Sequence, residues 1–363
     1  MNNTIEIVKQ IVSIPSWVDR GTNESEIGTY IYNYLKDNSV LNIVKQKVQD
    51  KRFNIIASNN DKIDALVTGH IDTVQPSSGW TRNPTVPEIV GDQLYGLGST
   101  DMKSGIAVML SMATCSNLKK NAAFLFYCDE EYDFLGMKNF IAEYKNDISP
   151  KLIISLDGEG LKIGNSCRGL IEMKVKVKGV AGHSANPKSG INAITESFKV
   201  INKLKYLLNN YSSKELGDST LNIANIKGGG YEGNIIADNC EYIVEIRVGN
   251  TILNADIVSE FVTVESQNIG LEIENITVRH NLGSWITPKE QLKQILKSAP
   301  IKNIANAKRS GYIDIQMLWE AFGKVPTFSF GAGEIGMAHK ADEYVKISNI
   351  DKTEKFMKQI LCE

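Results

Sequence analysis

Three short stretches of the chain, DALVTGH (64–70), AAFLFYC (122–128) and KLIISLD (151–157), are almost unbroken apolar runs, and each ends in or immediately precedes a histidine or an acid. Runs of this length and continuity fit strands buried on both faces. Segments with helical spacing, SGIAVMLSMATCSNL and GMKNFIAEYKND, lie between them. The opening portion therefore reads as alternating strand and helix, an α/β fold whose mostly parallel sheet carries helices on both faces. Two helices precede the first run. Ile5, Val8, Ile11 and Val12 recur at helical spacing, and Asn23 with Glu26 forms a capping-box-like start for a helix through Ile27, Ile31, Tyr34 and Leu35.

The texture changes after Cys167. LIEMKVKVKG (170–179) and CEYIVEIRVG (240–249) alternate apolar with polar residues, the sign of strands with one wet face. Helical stretches near 190–209 and 254–267 and a strand near 271–278 complete a separate α+β module ending near His280. The tail then returns to the first texture, with a helix DIQMLWEAFG closed by Gly323, a strand VPTFSFGAG, a loop carrying His339 and a terminal helix. The expected organisation is one catalytic domain built from 1–167 and 282–363, with a second domain inserted at 168–281. A chain of 363 residues has room for two cores.

Composition narrows the function classes. Lys plus Arg number 40 against 42 for Asp plus Glu, so no basic excess points to a nucleic-acid partner. The opening MNNTIEIVKQIVSIPS lacks a cationic start followed by an apolar core, and no later stretch is apolar enough to cross a bilayer; a cytoplasmic location away from membranes is expected. Five widely spaced cysteines without a Cys-x-x-Cys pair indicate neither a disulfide framework nor a thiolate zinc site.

Ligands bind at the carboxyl ends of strands in open α/β sheets, and the reactive side chains gather there. The first run delivers His70 with Asp72 two residues on, the second Asp129, Glu130 and Glu131, and the third Asp157. LYGLG leads into Asp101, and FSFGAG into His339. Imidazoles with carboxylates suit Zn²⁺, or less selectively Co²⁺ or Mn²⁺. There are enough donors for two ions sharing a bridging carboxylate, whose charge would offset three adjacent acids. Taken singly, each feature has a plainer reading: a hydrogen-bonded His-x-Asp pair, a solvated acidic turn, an Asp101 helix cap.

Other chemistries fit less well. YGLGSTD has Asp101 where a dinucleotide fingerprint needs glycine, and KGGGYEGN lacks the Gly-Lys-Ser/Thr ending of a phosphate loop. GHSAN lacks the second glycine of a nucleophile elbow.

GHIDTV, LYGLGSTDMKSG, CDEE, SLDGEG, GVAGHSANP and AHKADEYV occur in the order found in the co-catalytic di-zinc exopeptidase and deacylase family, which includes acetylornithine deacetylase, succinyl-diaminopimelate desuccinylase, aminoacylase and glutamate carboxypeptidase. The resemblance spans essentially the whole chain. It implies that His70 and Asp157 are the private ligands of one zinc, that Glu131 and His339 are those of the other, and that Asp101 bridges them. It further implies a cis peptide after Asp101, an orienting role for Asp72, and a general-base role for Glu130 towards a metal-bridging water. Asp129 reads as structural. His183 resembles the residue that stabilises the oxyanion, often in a neighbouring subunit. Asn234 and Arg247 resemble substrate-binding positions, with Arg247 matched to an α-carboxylate. The plainer readings are a loop histidine for His183 and a cross-strand ion pair for Arg247. Glu343 is read equally as a support to the site or as a cap, and His280 is given no role.

SGWTRNP, LYGLGSTDMK and the compact length resemble the acetylornithine deacetylase and desuccinylase branch, implying deacylation of a small N-acyl amino acid. Leu97 departs from the arginine common at that position. A dipeptidase or glutamate-type carboxypeptidase acting on short peptides is the alternative, and a non-catalytic metal-binding scaffold a third reading. A homodimer through the inserted domain follows by resemblance.

Overall fold

A computed structural model describes residues 3–18, 24–60, 62–119, 121–230, 232–296, 304–305, 307–309 and 311–362. Two compact units emerge: 1–165 with 287–305 and 317–363, and 166–286 with 306–316.

The first unit is built on a six-stranded sheet in the order Asn42–Gln49, Arg52–Ser58, Ala122–Tyr127, Ala65–His70, Leu152–Ser155 and Thr327–Ser329. The last three pairings are parallel and the first two antiparallel. Every residue of Ala65–His70 and Ala122–Tyr127 is buried, as their unbroken apolarity requires. Ile11, Ile27, Ile31, Ile106, Leu110 and Met357 from four helices join Val67, Phe124 and Ile154 in one core. The Asn23 cap lies outside the described residues, while its helix spans Glu24–Asn38.

The second unit is a four-stranded antiparallel sheet in the order Thr220–Gly228, Asn239–Val248, Gly169–Lys178 and Glu272–Leu282. Alternation works here as the sequence suggests. Met173, Val175 and Val177 face a core shared with Val200 and Leu204 of helix Ala193–Leu208 and Val258 of helix Ala255–Asn268, while Lys174 and Lys176 emerge beside Glu241. Asn192 and Asn254 cap the two helices by accepting backbone N–H bonds.

Two expectations need correction. The strand expected near 271–278 runs on to Leu282, which makes His280 a buried strand residue opposite Glu172. Residues 307–309 and 311–316, expected in the catalytic domain, cluster with the second unit, where the Cys167 thiol approaches the Ile313 carbonyl at 3.9 Å.

Candidate metal centre

Register places the site. Thr68 pairs with Ser155 and His70 with Tyr127, so the parallel strands end together. Asp157 follows two residues after Ser155, and the turn after Tyr127 brings Glu131 to the same end of the sheet. Gly158 and Gly331 let the adjoining backbones close up: a Cβ on Gly158 would lie 2.6 Å from the Gly331 nitrogen.

His70, Asp101 and Glu131 present ligand atoms that all lie within 4.8 Å of one another. His70 Nε2 is 3.1 Å from Asp101 Oδ1, and His339 Nε2 is 3.3 Å from Asp101 Oδ2 and 3.1 Å from Glu131 Oε1. The Asp101 carboxylate thus turns one oxygen to each imidazole. Donors about 2.0–2.1 Å from a tetrahedral zinc stand about 3.3 Å apart, which matches these separations. The peptide bond between Asp101 and Met102 is cis.

The ring of His70 is held from behind. Its Nδ1 donates to the Asp72 carbonyl at 3.1 Å and lies 3.5 Å from Asp72 Oδ1, which leaves Nε2 facing Asp101. Asp72 is fully buried, and its Oδ2 accepts the Glu131 backbone N–H at 3.0 Å, so one side chain fixes both His70 and Glu131.

Electrostatics agree with a cation pocket. Burial pushes the His70 pKa down, but hydrogen bonds with Asp101 and Asp72 and the charge of Glu130 outweigh it, leaving the ring well above its ordinary value. Hydrogen bonds with Asp101 and Glu131 raise His339 to about 10. Burial works to raise Asp101, yet both imidazoles hold it well below the usual carboxylate range. Burial, joined by the Asp101 charge, raises Glu131. Nitrogens that attract protons this strongly are nitrogens for which a metal ion competes, so the donor set fits divalent ions.

Among the remaining site candidates, Asp157 is half-buried at its strand end, its N–H on Ser155 Oγ at 3.1 Å, and it lies outside the 4.8 Å group. Glu130 is half-buried, and its charge reaches His70. In the second unit, His183 is exposed, with Nδ1 accepting the Ala185 N–H at 3.1 Å. Asn234 is its neighbour, since Ser184 donates to the Asn234 carbonyl at 2.8 Å. Arg247 pairs with Glu245 two residues away on its own strand at 2.9 Å, not across strands.

Two sets of partners were not legible in sequence. Buried Glu343 accepts hydrogen bonds from the Gly98, Thr100 and Asp101 amides. Asp129 is structural, as expected, through a buried triad: it contacts Arg52, whose Nε is 2.5 Å from Glu24 Oε2, while Glu24 Oε1 accepts the Asp129 N–H at 2.7 Å. Burial, joined by the Asp72 charge, raises Glu24 to about 7 even beside Arg52. Replacing Arg52 with methionine would leave two carboxylates buried without their cation. Urea denaturation should show a loss of about 3–5 kcal/mol.

Comparison with known proteins places the chain. Residues 66–363 match the model of Peptidase family M20/M25/M40. The chain belongs to that family. M20 membership makes it a metallo-hydrolase, and extends over the second unit as well as the first. It is 32% identical to the acetylornithine deacetylase of Buchnera aphidicola subsp. Schizaphis graminum over 98% of this chain and 97% of that one. A metallo-carboxypeptidase of Sulfolobus solfataricus, Sso-CP2, shares the fold with a TM-score of 0.77 at 18% identity, covering 99% and 98% of the two chains. The Bacillus subtilis YXEP protein, described as a dinuclear metal binding peptidase from the M20 family, matches with a TM-score of 0.70 at 16% identity over 98% and 96%. Among the described residues no helix is long and apolar enough to cross a membrane.

Proposed function

We propose that the protein hydrolyses the amide bond of a small N-acyl amino acid, as an acetylornithine deacetylase-like deacylase. The observation that carries the reading is the Asp101 carboxylate facing one imidazole with each oxygen, beside Glu131. Full-length similarity to acetylornithine deacetylases supports the choice of substrate class.

His70 and Asp157 would hold one ion, Glu131 and His339 the other, with Asp101 shared; nitrogen and oxygen donors in this ratio favour Zn²⁺, with Co²⁺ or Mn²⁺ as substitutes. When bound, such ions polarise the acyl carbonyl and lower the pKa of water towards about 7 from roughly 16. Asp72 fixes the His70 ring. Glu130 takes the proton of the attacking water and delivers it to the leaving nitrogen. From the second unit, His183 would donate to the developing oxyanion, Asn234 would help seat the substrate, and Arg247 would exchange Glu245 for the substrate carboxylate. The same reading makes the protein a cytoplasmic homodimer joined through its second unit.

The test is hydrolysis of N-acetylornithine, N-acetyl-lysine, N-acetylcitrulline, N-succinyl-diaminopimelate and several dipeptides, with Zn²⁺ or Co²⁺ and with chelator. Turnover of one acyl amino acid, abolished by chelation, is the expected result. Preference for dipeptides would replace deacylation by the peptidase reading, which the carboxypeptidase neighbour favours. Turnover of nothing by metal-loaded protein would turn the reading towards a scaffold.

A further inference from the structure

Glu343 is 2% exposed, and its carboxylate is held by three backbone amides. Its Oε2 accepts the Gly98 N–H at 2.8 Å, while Oε1 accepts those of Thr100 at 2.8 Å and Asp101 at 3.0 Å. Such convergence needs a backbone reversal, supplied by Gly98 at φ 77°. Amides aimed at one point make an anion cradle, and here the chain fills it with its own carboxylate.

The backbone around that carboxylate is stitched to the same loop. Gly96 donates to the Glu343 carbonyl at 2.9 Å, and Thr100 Oγ1 donates to the Tyr344 carbonyl at 2.5 Å. Four residues earlier stands His339, in a tight segment where His339 and Asp342 both have left-handed backbones at φ 63° and 54°. Asp342 accepts from the Thr81 and Arg82 amides at 2.9 and 3.2 Å. One segment of five residues, 339–343, therefore carries one imidazole, aims Asp101 and anchors the 81–82 loop.

We infer that Glu343 is the positioning residue for Asp101: by fixing the amides of 98, 100 and 101 it sets where the bridging carboxylate stands relative to His339 and His70. The inference rests on the two-ion reading of the site. Both carboxylate oxygens are used, so an amide cannot replace them. In glutamine one end becomes an N–H₂ donor, and whichever way it turns, it faces either the Gly98 N–H or those of Thr100 and Asp101. The Asp101 loop loses at least one anchor, and the shared ligand loses its fixed position.

The experiment compares wild type, Glu343→Gln and Glu343→Asp by competitive chelator titration with Zn²⁺ and by the visible spectrum of the Co²⁺-loaded protein, with Glu354→Gln as control. Glu354 is a buried carboxylate bonded to Thr4, Ser111 and Lys358, so its variant reports destabilisation alone. Glu343→Gln is expected to weaken Zn²⁺ binding about 10–100-fold and to shift the Co²⁺ bands. Glu343→Asp, which keeps the charge but withdraws it by one methylene, should fall between and guards against a glutamine variant that fails to fold. Glu354→Gln should bind zinc as wild type does. Wild-type affinity and spectrum in both Glu343 variants, or an equal loss in Glu354→Gln, would overturn the assignment. A wild-type protein that takes up no Zn²⁺ would instead defeat the two-ion reading on which it stands.

Discussion

Replacing Glu130 with glutamine is expected to lower kcat by about 10²–10⁴-fold, the usual worth of a positioned general base, while two ions remain bound and KM changes little. The argument turns on the neighbouring acid. Glu131 is drawn to His339 at 3.1 Å and held by its backbone N–H on Asp72, whereas Glu130 lies outside the group of mutually close donors and acts on His70 through space. Glutamine has nearly the shape of glutamate but cannot accept the water proton. Steady-state kinetics with metal analysis of the same samples separates the roles: Glu130→Gln should lose rate and keep metal, and Glu131→Gln should lose metal along with rate. A Glu130→Gln protein that retains turnover would remove this residue as the base.

The same comparison shows which parts of the molecule the sequence discloses. His70 and Glu131, two of the three grouped donors, were legible because each stands at or just past the end of a strand buried on both faces, where an unbroken apolar run gives way to a charge. The hairpin 42–58 and strand Thr220–Gly228 were not. Asn42–Gln49 and Thr220–Gly228 are sheet edges with mostly exposed side chains, so neither continuous apolarity nor a clean alternation marks them. Glu343 was left open for a different reason. Its three partners are backbone amides some 240 residues earlier, and a backbone group has no side-chain signature to read. The triad of Glu24, Arg52 and Asp129 was hidden likewise, since its members come from a helix, a strand and a turn far apart in sequence. Arg247 illustrates a local ambiguity: its alternation with Glu245 on one strand face fits an ion pair and a substrate clamp equally, and the pair is what forms in the free chain.

Asp101→Asn is the substitution expected to do most harm. Each oxygen of Asp101 faces a different imidazole, so in the two-ion arrangement proposed above both positions would depend on one side chain. Asparagine keeps a single acceptor oxygen and puts an N–H₂ donor in place of the other, which cannot ligate a cation. The ion on that side would then lack a ligand, and the remaining one would lose the negative charge that offsets it. We expect the variant to retain at most one zinc per chain by metal analysis and to lose turnover by more than about 10³-fold. The fold should persist, because Asp101 is partly exposed and its backbone N–H remains on Glu343 at 3.0 Å. Circular dichroism checks that point. Full occupancy by two ions in Asp101→Asn would mean that Asp101 is not shared, and the close approach of His70 and His339 to its carboxylate would have to be read as hydrogen bonding alone.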